Sequence, residues 1–273
     1  MTLNCKGVLI DLTSPRVMGI LNLTPDSFYD GGIHSDEKKV LNLAEKMLDD
    51  GATFIDLGAY SSRPGAAHIP EAEELKRILP IVDSLLGRFP EILLSIDTFR
   101  SLVAQKCLEH GAAMVNDISA GKLDENMLPT VANFQVPYIM MHMKGNPQTM
   151  QQHTEYDNLL GDILYYFSER LAIARKLKIN DIIIDPGFGF AKTLTQNYAL
   201  LRNLERFQAL EVPILAGLSR KSMIFKTLNN NAANALNGTT ALNMFALGKG
   251  ANLLRVHDVK EAMECVRLYN QLA

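Results

Sequence analysis

What most constrains this chain is a rhythm in which short apolar runs alternate with amphipathic stretches, and each run closes on a polar or charged residue. In order, the runs end in Asn22, Asp56, Asp97, Asn116, His142, Asp185, Lys221 and Arg255-Val256-His257. Short, nearly continuous apolar runs are the mark of strands covered on both faces, as in parallel sheets. Between them the period changes to 3.6 residues: Val40, Leu43, Ala44, Met47 and Leu48 share one helical face, and Gly51 ends that helix.

The spacing predicts strands over 17–21, 52–57, 91–96, 113–115, 137–141, 182–184, 213–216 and 253–256. It predicts helices over 71–86, from about 124, over 157–178 and over 259–272. Strand-helix-strand crossovers are right-handed and build parallel sheets. Eight such units in about 250 residues fit a closed (β/α)8 barrel, the TIM barrel, better than the alternative of an open doubly wound sheet. The segment from Thr2 to Leu12 is expected to form a hairpin closing the bottom of that barrel. Polar groups at the ends of successive parallel strands would then meet at one mouth, where α/β folds keep their chemistry.

Composition excludes several classes of function. With 273 residues and 47% hydrophobic content, the chain can cover one large core, so a single domain over 1–273 is expected. A formal charge of −3 argues against a nucleic-acid binder that needs a broad basic face. Cys5, Cys107 and Cys265 are far apart and make neither a Cys-x-x-Cys pair nor a disulfide framework. The first residues lack the apolar core of an export signal, and no run is long enough to cross a bilayer, so a cytoplasmic protein with no membrane partner is expected.

The chemistry divides into two walls. Arg255 and His257 fall on the same side of the last strand, with Lys221 after the preceding one, where barrels commonly bind phosphate. A forked guanidinium beside further donors suits two phosphate oxygens, the alternative being an ion pair with Asp258. Opposite them, Asp97, Asp185 and Asn116 carry carboxylates and an amide that would face the N–H groups of a flat heterocycle. Ile118, Ile139, Met141 and Phe190 would supply its apolar walls. Asp117 and Asp124 are read as caps of the helices that follow them. The run Gly187-Phe-Gly-Phe-Ala-Lys-Thr193 lacks the spacing of a triphosphate loop. No Cys/His cluster exists for a caged transition metal; a magnesium ion held mainly by substrate oxygens and by Asn22 stays open. Three connections, 22–36, 58–70 and 217 to about 237, are longer than a tight turn; the first two suit covers over a site, whereas Asn229-Asn-Asn-Ala-Ala-Asn234 within the third is read as a surface turn.

These residues resemble the dihydropteroate synthase family. The blocks are Asn22-Leu-Thr-Pro-Asp-Ser-Phe-Tyr-Asp-Gly-Gly32, Ser61-Ser-Arg-Pro-Gly65, Ser95-Ile-Asp-Thr98, Asn116-Asp-Ile-Ser119, Asp185-Pro-Gly-Phe-Gly-Phe190, Ser219-Arg-Lys-Ser222 and Arg255-Val-His257. They follow the family's order over nearly the whole chain. The resemblance implies condensation of 6-hydroxymethyl-7,8-dihydropterin diphosphate with 4-aminobenzoate in folate biosynthesis, with Mg2+ as cofactor and a homodimer as the assembly. It implies that Asp97, Asn116, Asp185 and Lys221 bind the pterin between Ile118, Ile139 and Met141, and that Asn22, Ser62, Arg63, Arg255 and His257 hold the diphosphate. Phe28, Pro64, Phe190, Lys221 and Ser222 would form the 4-aminobenzoate subsite. Asp26 and Arg63 join Asp97 and Lys221 as implied catalytic residues, and Asn22 is the implied metal ligand. The family is a sulfonamide target. This chain departs from its pattern at Leu23, Tyr29, Ser62 and Ala191. A methyltetrahydrofolate-dependent methyltransferase would have no need of Arg63, Lys221 and the Arg255/His257 pair, and a silent pterin-binding homologue would be expected to have lost loop residues such as Asp26 or Arg63, both of which are present.

Overall fold

The computed structural model describes residues 1–23, 33–61 and 68–272. A hairpin of β1 (Thr2–Cys5) and β2 (Val8–Asp11) precedes β3 (Arg16–Asn22), α1 (Ile33–Asp49), β4 (Phe54–Gly58), α2 (Glu71–Arg88) and β5 (Leu94–Asp97). Then come α3 (Ser101–Glu109), β6 (Met114–Asp117), α4 (Met127–Phe134), β7 (Tyr138–Met141), α5 (Leu159–Lys176) and β8 (Ile182–Asp185). The chain finishes with α6 (Leu194–Arg202), β9 (Leu215–Ala216), α7 (Ser222–Thr227), α8 (Leu236–Gly248), β10 (Leu253–Val256) and α9 (Val259–Tyr269).

Strands β3 to β10 form one parallel sheet in the order β8-β7-β6-β5-β4-β3-β10-β9. A parallel bridge between Ile184 and Ile214 joins its two ends, so the expected eight-stranded barrel is present. Each strand keeps one set of alternate residues inside and turns the other set to the helices. The outward set packs on helix faces such as Ile78, Val82 and Leu85 of α2 in one continuous core. That helix begins just after Pro70 and carries Glu71, Glu73 and Glu74 in its first turn, where acidic groups complement the exposed amide dipoles.

Inside, the lower layer consists of Met18, Phe54, Met114, Ile139, Ile183, Leu215 and Leu253, one from nearly every strand. Leu3, Cys5 and Leu12 of the hairpin pack beneath them. The expected plug is therefore real, and its physical reason is plain: an apolar layer at the open bottom of a barrel would otherwise face water. Above this layer the inward positions become polar.

One stretch differs from expectation. The segment 217–237, read as a single long loop, holds the short helix α7, because Met223 and Ile224 find a buried seat there. The Asn229–Asn234 turn is exposed, yet Arg220 reaches it and donates to the carbonyls of Ala232 and Ala233.

Candidate active site at the barrel mouth

Register decides which side chains meet. Asn22 pairs with Gly58 across β3 and β4, Asp97 pairs with Asn116 across β5 and β6, and Met141 pairs with Asp185 across β7 and β8. Gly58 leaves the room in which two of these groups approach. A methyl group there would lie 3.2 Å from Asp97 Cβ, 3.5 Å from Asp97 Oδ2 and 3.6 Å from Asn22 Oδ1.

The centre of the mouth is an ion cluster around Arg255. Its Nε donates to Asp56 Oδ2 at 2.6 Å and its Nη2 to Asp97 Oδ2 at 2.6 Å. Asn116 Nδ2 donates to the same Asp56 oxygen at 2.9 Å. Burial opposes the Arg255 charge, but Asp56 and Asp97 outweigh it and hold its pKa raised. Asp97 feels the opposite balance: burial, with Asp56 and Glu74 adding to it, overcomes Arg255 and leaves its carboxyl raised to about 7. Asp258 is not the partner of Arg255, because it takes a two-pronged grip from Arg220, with Nε and Nη2 each at 2.8 Å. Arg255 is thus paired with Asp56 and Asp97 and not with the Asp258 carboxylate considered as its alternative.

Asp185 and Lys221 occupy the facing side. Burial raises the Asp185 carboxyl against the pull of Lys221 and of the Gly187 N–H, which donates to Asp185 Oδ1 at 2.8 Å. Lys221 donates to the Phe188 carbonyl and lies 5.1 Å from the centre of the Phe190 ring. Burial and Arg255 lower its ammonium to about 8, with Asp185 opposing. His257 takes its position from Ser219, whose Oγ is 3.0 Å from His257 Nδ1 and accepts the His257 backbone N–H at 3.1 Å. Asp185 and Arg255 thus share one end of the barrel.

Ile118 and Met141 belong to one apolar cluster against which Phe190 packs, as a ring-binding wall requires. Ile139 differs from expectation. It is fully buried in the lower layer, two residues deeper than Met141, and forms floor rather than wall. His142 differs too: because Ile139 and Met141 point inward, it points out to the helices, edge-on to Tyr166 with centroids 4.8 Å apart. Ser222 is exposed as the first residue of α7. Asp124 accepts Asn126 N at 3.0 Å just ahead of α4, as expected, and with its other oxygen also caps α3, accepting Ser101 N at 2.7 Å. Asp117 locks its own turn through Ser119 N and Gly121 N and accepts the Tyr138 hydroxyl at 2.6 Å. Asp26, Phe28, Ser62, Arg63 and Pro64 lie outside the described residues.

Two features escaped the sequence. Asp56 was visible as a strand end, but nothing local signalled that it joins Arg255 to Asn116. Behind Asp97, the buried Glu74 accepts Thr98 Oγ1 at 2.8 Å and Arg100 Nη1 at 2.5 Å, fixing the backbone that carries Asp97. A cavity of about 380 Å³ lies outside the mouth, lined by His142, Lys122, Lys144 and Tyr166, and shares none of these mouth groups. Among the described residues no three carboxylate, imidazole or thiol groups gather to cage a metal. Asn22 Oδ1 beside Asp97 Oδ2 offers hard oxygen atoms, which suits magnesium that keeps most of its ligands from water and substrate.

A family model described as "Pterin binding enzyme" matches residues 18–257. The dihydropteroate synthase of Escherichia coli (strain K12) is 42% identical over 270 residues, covering 98% of this chain and 95% of the relative. The Haemophilus influenzae dihydropteroate synthase is 39% identical, covering 100% of this chain and 99% of the relative. Among solved structures, Yersinia pestis dihydropteroate synthase in a sulfonamide drug complex superposes with a TM-score of 0.93 at 41% identity, covering 100% and 99% of the two chains. Xanthomonas albilineans dihydropteroate synthase with 4-aminobenzoic acid gives 0.92 at 36% identity, covering 99% and 97%. On a barrel of this topology, with these carboxylates and cations at its mouth, such full-length similarity means that the chain belongs to the dihydropteroate synthase family of pterin-binding enzymes.

Proposed function

We propose that this chain, one barrel domain over 1–273, condenses 6-hydroxymethyl-7,8-dihydropterin diphosphate with 4-aminobenzoate, giving 7,8-dihydropteroate and diphosphate. The observation that carries the reading is the Arg255 cluster. A guanidinium shared between Asp56 and Asp97 lies at the same barrel mouth as Asp185, Lys221 and His257.

Asp185, Asn116 and Lys221 bind the pterin edge, with Ile118 and Met141 against its faces. An incoming diphosphate competes for Arg255 Nη2, the donor now on Asp97, while Nε stays on Asp56. Asp97, freed of that hydrogen bond but still beside the Arg255 charge that opposes its protonation, faces the pterin methylene. The C–O bond to diphosphate breaks with its electron pair leaving on oxygen, and the methylene becomes cationic. A carboxylate about 4 Å from a developing unit charge stabilises it by roughly 4 kcal/mol at an effective dielectric constant of 20. The arylamine nitrogen then forms the C–N bond and releases its proton. Asn22 would hold magnesium beside the diphosphate, where the ion supplies Lewis-acid stabilisation of the leaving group. The 4-aminobenzoate subsite lies beside Phe190 and Lys221, with Phe28, Pro64 and Ser222 as further proposed members, and would admit sulfonamide mimics. Asp26, Ser62 and Arg63 are proposed to complete the diphosphate side.

A homodimer in the cytoplasm is the proposed assembly and setting. Among the described residues no helix is long and apolar enough to cross a membrane. The test is incubation with the pterin diphosphate, magnesium and 4-aminobenzoate while diphosphate release and dihydropteroate are followed. Turnover that requires both substrates is expected. No diphosphate release under any condition would defeat the reading.

A further inference from the structure

Lys192 is a buried lysine that the proposed reaction does not use. It is 4% exposed, and among the described residues its ammonium makes no ion pair with a carboxylate. It curls back over the turn that precedes it, donating to the carbonyl of Gly187 at 2.9 Å and to that of Phe190 at 3.0 Å. His142 Nδ1 lies 3.1 Å away, which explains why this outward-facing imidazole is buried.

The turn it spans is an unusual piece of backbone. Gly187, Gly189 and Ala191 all have positive φ, at 73°, 82° and 50°. A side chain on Gly187 would meet the His142 carbonyl oxygen at 2.2 Å, so the turn is pressed against the end of β7. Every carbonyl along it is held by a side chain: Lys192 takes Gly187 and Phe190, Lys221 takes Phe188, Gln151 takes Gly189 and Tyr156 takes Ala191. Left-handed residues other than glycine cost about 1–2 kcal/mol each, so such a conformation persists only when its surroundings over-determine it. Among the described residues, Lys192 is the one side chain that binds both the Gly187 and the Phe190 carbonyls.

We propose that Lys192 is a positioning residue of the 4-aminobenzoate subsite: its buried ammonium fixes the Gly187–Phe190 turn in the conformation that sets the Phe190 ring beside Lys221. This rests on the assignment of that subsite under the proposed function. Lysine suits the task because three ammonium donors meet three acceptors in fixed directions, two carbonyls and one imidazole nitrogen. Burial, with Lys221 and Lys144 adding to it and Asp185 opposing, lowers the ammonium to about 7, and burial with Lys192 holds the His142 imidazole well below its usual pKa and neutral. Below about pH 7 the ammonium donates to all three, a neutral His142 accepting through Nδ1; above it the two N–H groups of the amine still hold the two carbonyls.

The experiment compares wild type with Lys192→Met, which keeps the length of the side chain and deletes its donors, and Lys192→Gln, which keeps a donor amide. Steady-state KM is measured for each substrate, and amide hydrogen exchange is followed at Phe190, whose N–H donates to the Gly187 carbonyl at 3.1 Å. For Lys192→Met the KM for 4-aminobenzoate is expected to rise about tenfold, with the KM for the pterin diphosphate within about twofold, and Lys192→Gln to fall between. Exchange at Phe190 should quicken about tenfold while barrel-strand amides stay protected. Equal rises in both KM values, or an unchanged KM for 4-aminobenzoate, would overturn the proposal. If Lys192→Met does not fold, Lys192→Gln alone decides by the same ratio. Should wild type show no turnover, the functional reading fails, and Phe190 exchange still tests the anchoring by itself.

Discussion

Asp56 is the residue on which the charge arrangement of the mouth turns, and Asp56→Asn tests it with the least change in shape. The carboxylate is fully buried, and the Arg255 side chain is 19% exposed. One oxygen, Oδ2, receives both Arg255 Nε and Asn116 Nδ2, while Oδ1 has no hydrogen-bond partner among the described residues. Hydrogen bonds to a charged group are worth about 1.5–3 kcal/mol and neutral ones about 0.5–1.5. An asparagine oxygen in place of Oδ2 keeps both bonds but removes the charge, at about 1 kcal/mol each. Its NH2 then sits where Oδ1 now finds no partner, and a buried unsatisfied donor costs a further 1–3 kcal/mol or so. The expected loss of stability is therefore about 3–5 kcal/mol, read by denaturant unfolding at constant slope. Arg255 is left to Asp97 alone, so it is drawn away from the diphosphate. Calorimetric binding of the pterin diphosphate should weaken about ten- to a hundredfold, or roughly 1.4–2.8 kcal/mol, with the KM for 4-aminobenzoate little changed. A variant that lost less than about 1 kcal/mol and bound the pterin diphosphate within about twofold of wild type would show that Asp56 does not hold Arg255.

Three further outcomes follow from the same geometry. If Asp97 must be a carboxylate and Lys221 an ammonium, kcat/KM rises as pH passes about 7 and falls beyond about 8; Asp97→Asn should turn over slowly and lack the acid limb, and an intact limb in that variant would remove Asp97 from the role. Glu74→Ala strands the Arg100 guanidinium, whose side chain is 10% exposed, so unfolding measurements should report a loss of about 3–5 kcal/mol, with little loss counting against the Glu74 anchor. Leu12→Ala empties a fully buried position in the barrel plug and should cost about 2–5 kcal/mol in the same assay while leaving both KM values unmoved.

Much of this was legible before any coordinates. Local period decides whether a run becomes strand or helix, and turn residues mark its ends. The alternation of the two therefore already specified a parallel sheet and favoured its closed form, and the plug hairpin and strand boundaries such as 253–256 could be read directly. The rule that polar residues ending parallel strands gather at one mouth likewise brought Asn22, Asp97, Asn116, Asp185, Lys221, Arg255 and His257 into view.

What the sequence alone could not give is which of these groups face one another. Strand parity turned His142 outward to Lys192, and depth along β7 sank Ile139 into the floor two residues below Met141, with which it shares an inward face. Closure of the barrel set Arg255 against Asp56 across 199 residues and against Asp97 across 158. Pairings at such separation leave no trace in a local pattern. They exist only once the eighth strand lies beside the first, so the sequence by itself determined the elements and their polar ends, and the tertiary structure chose the partner of every charge.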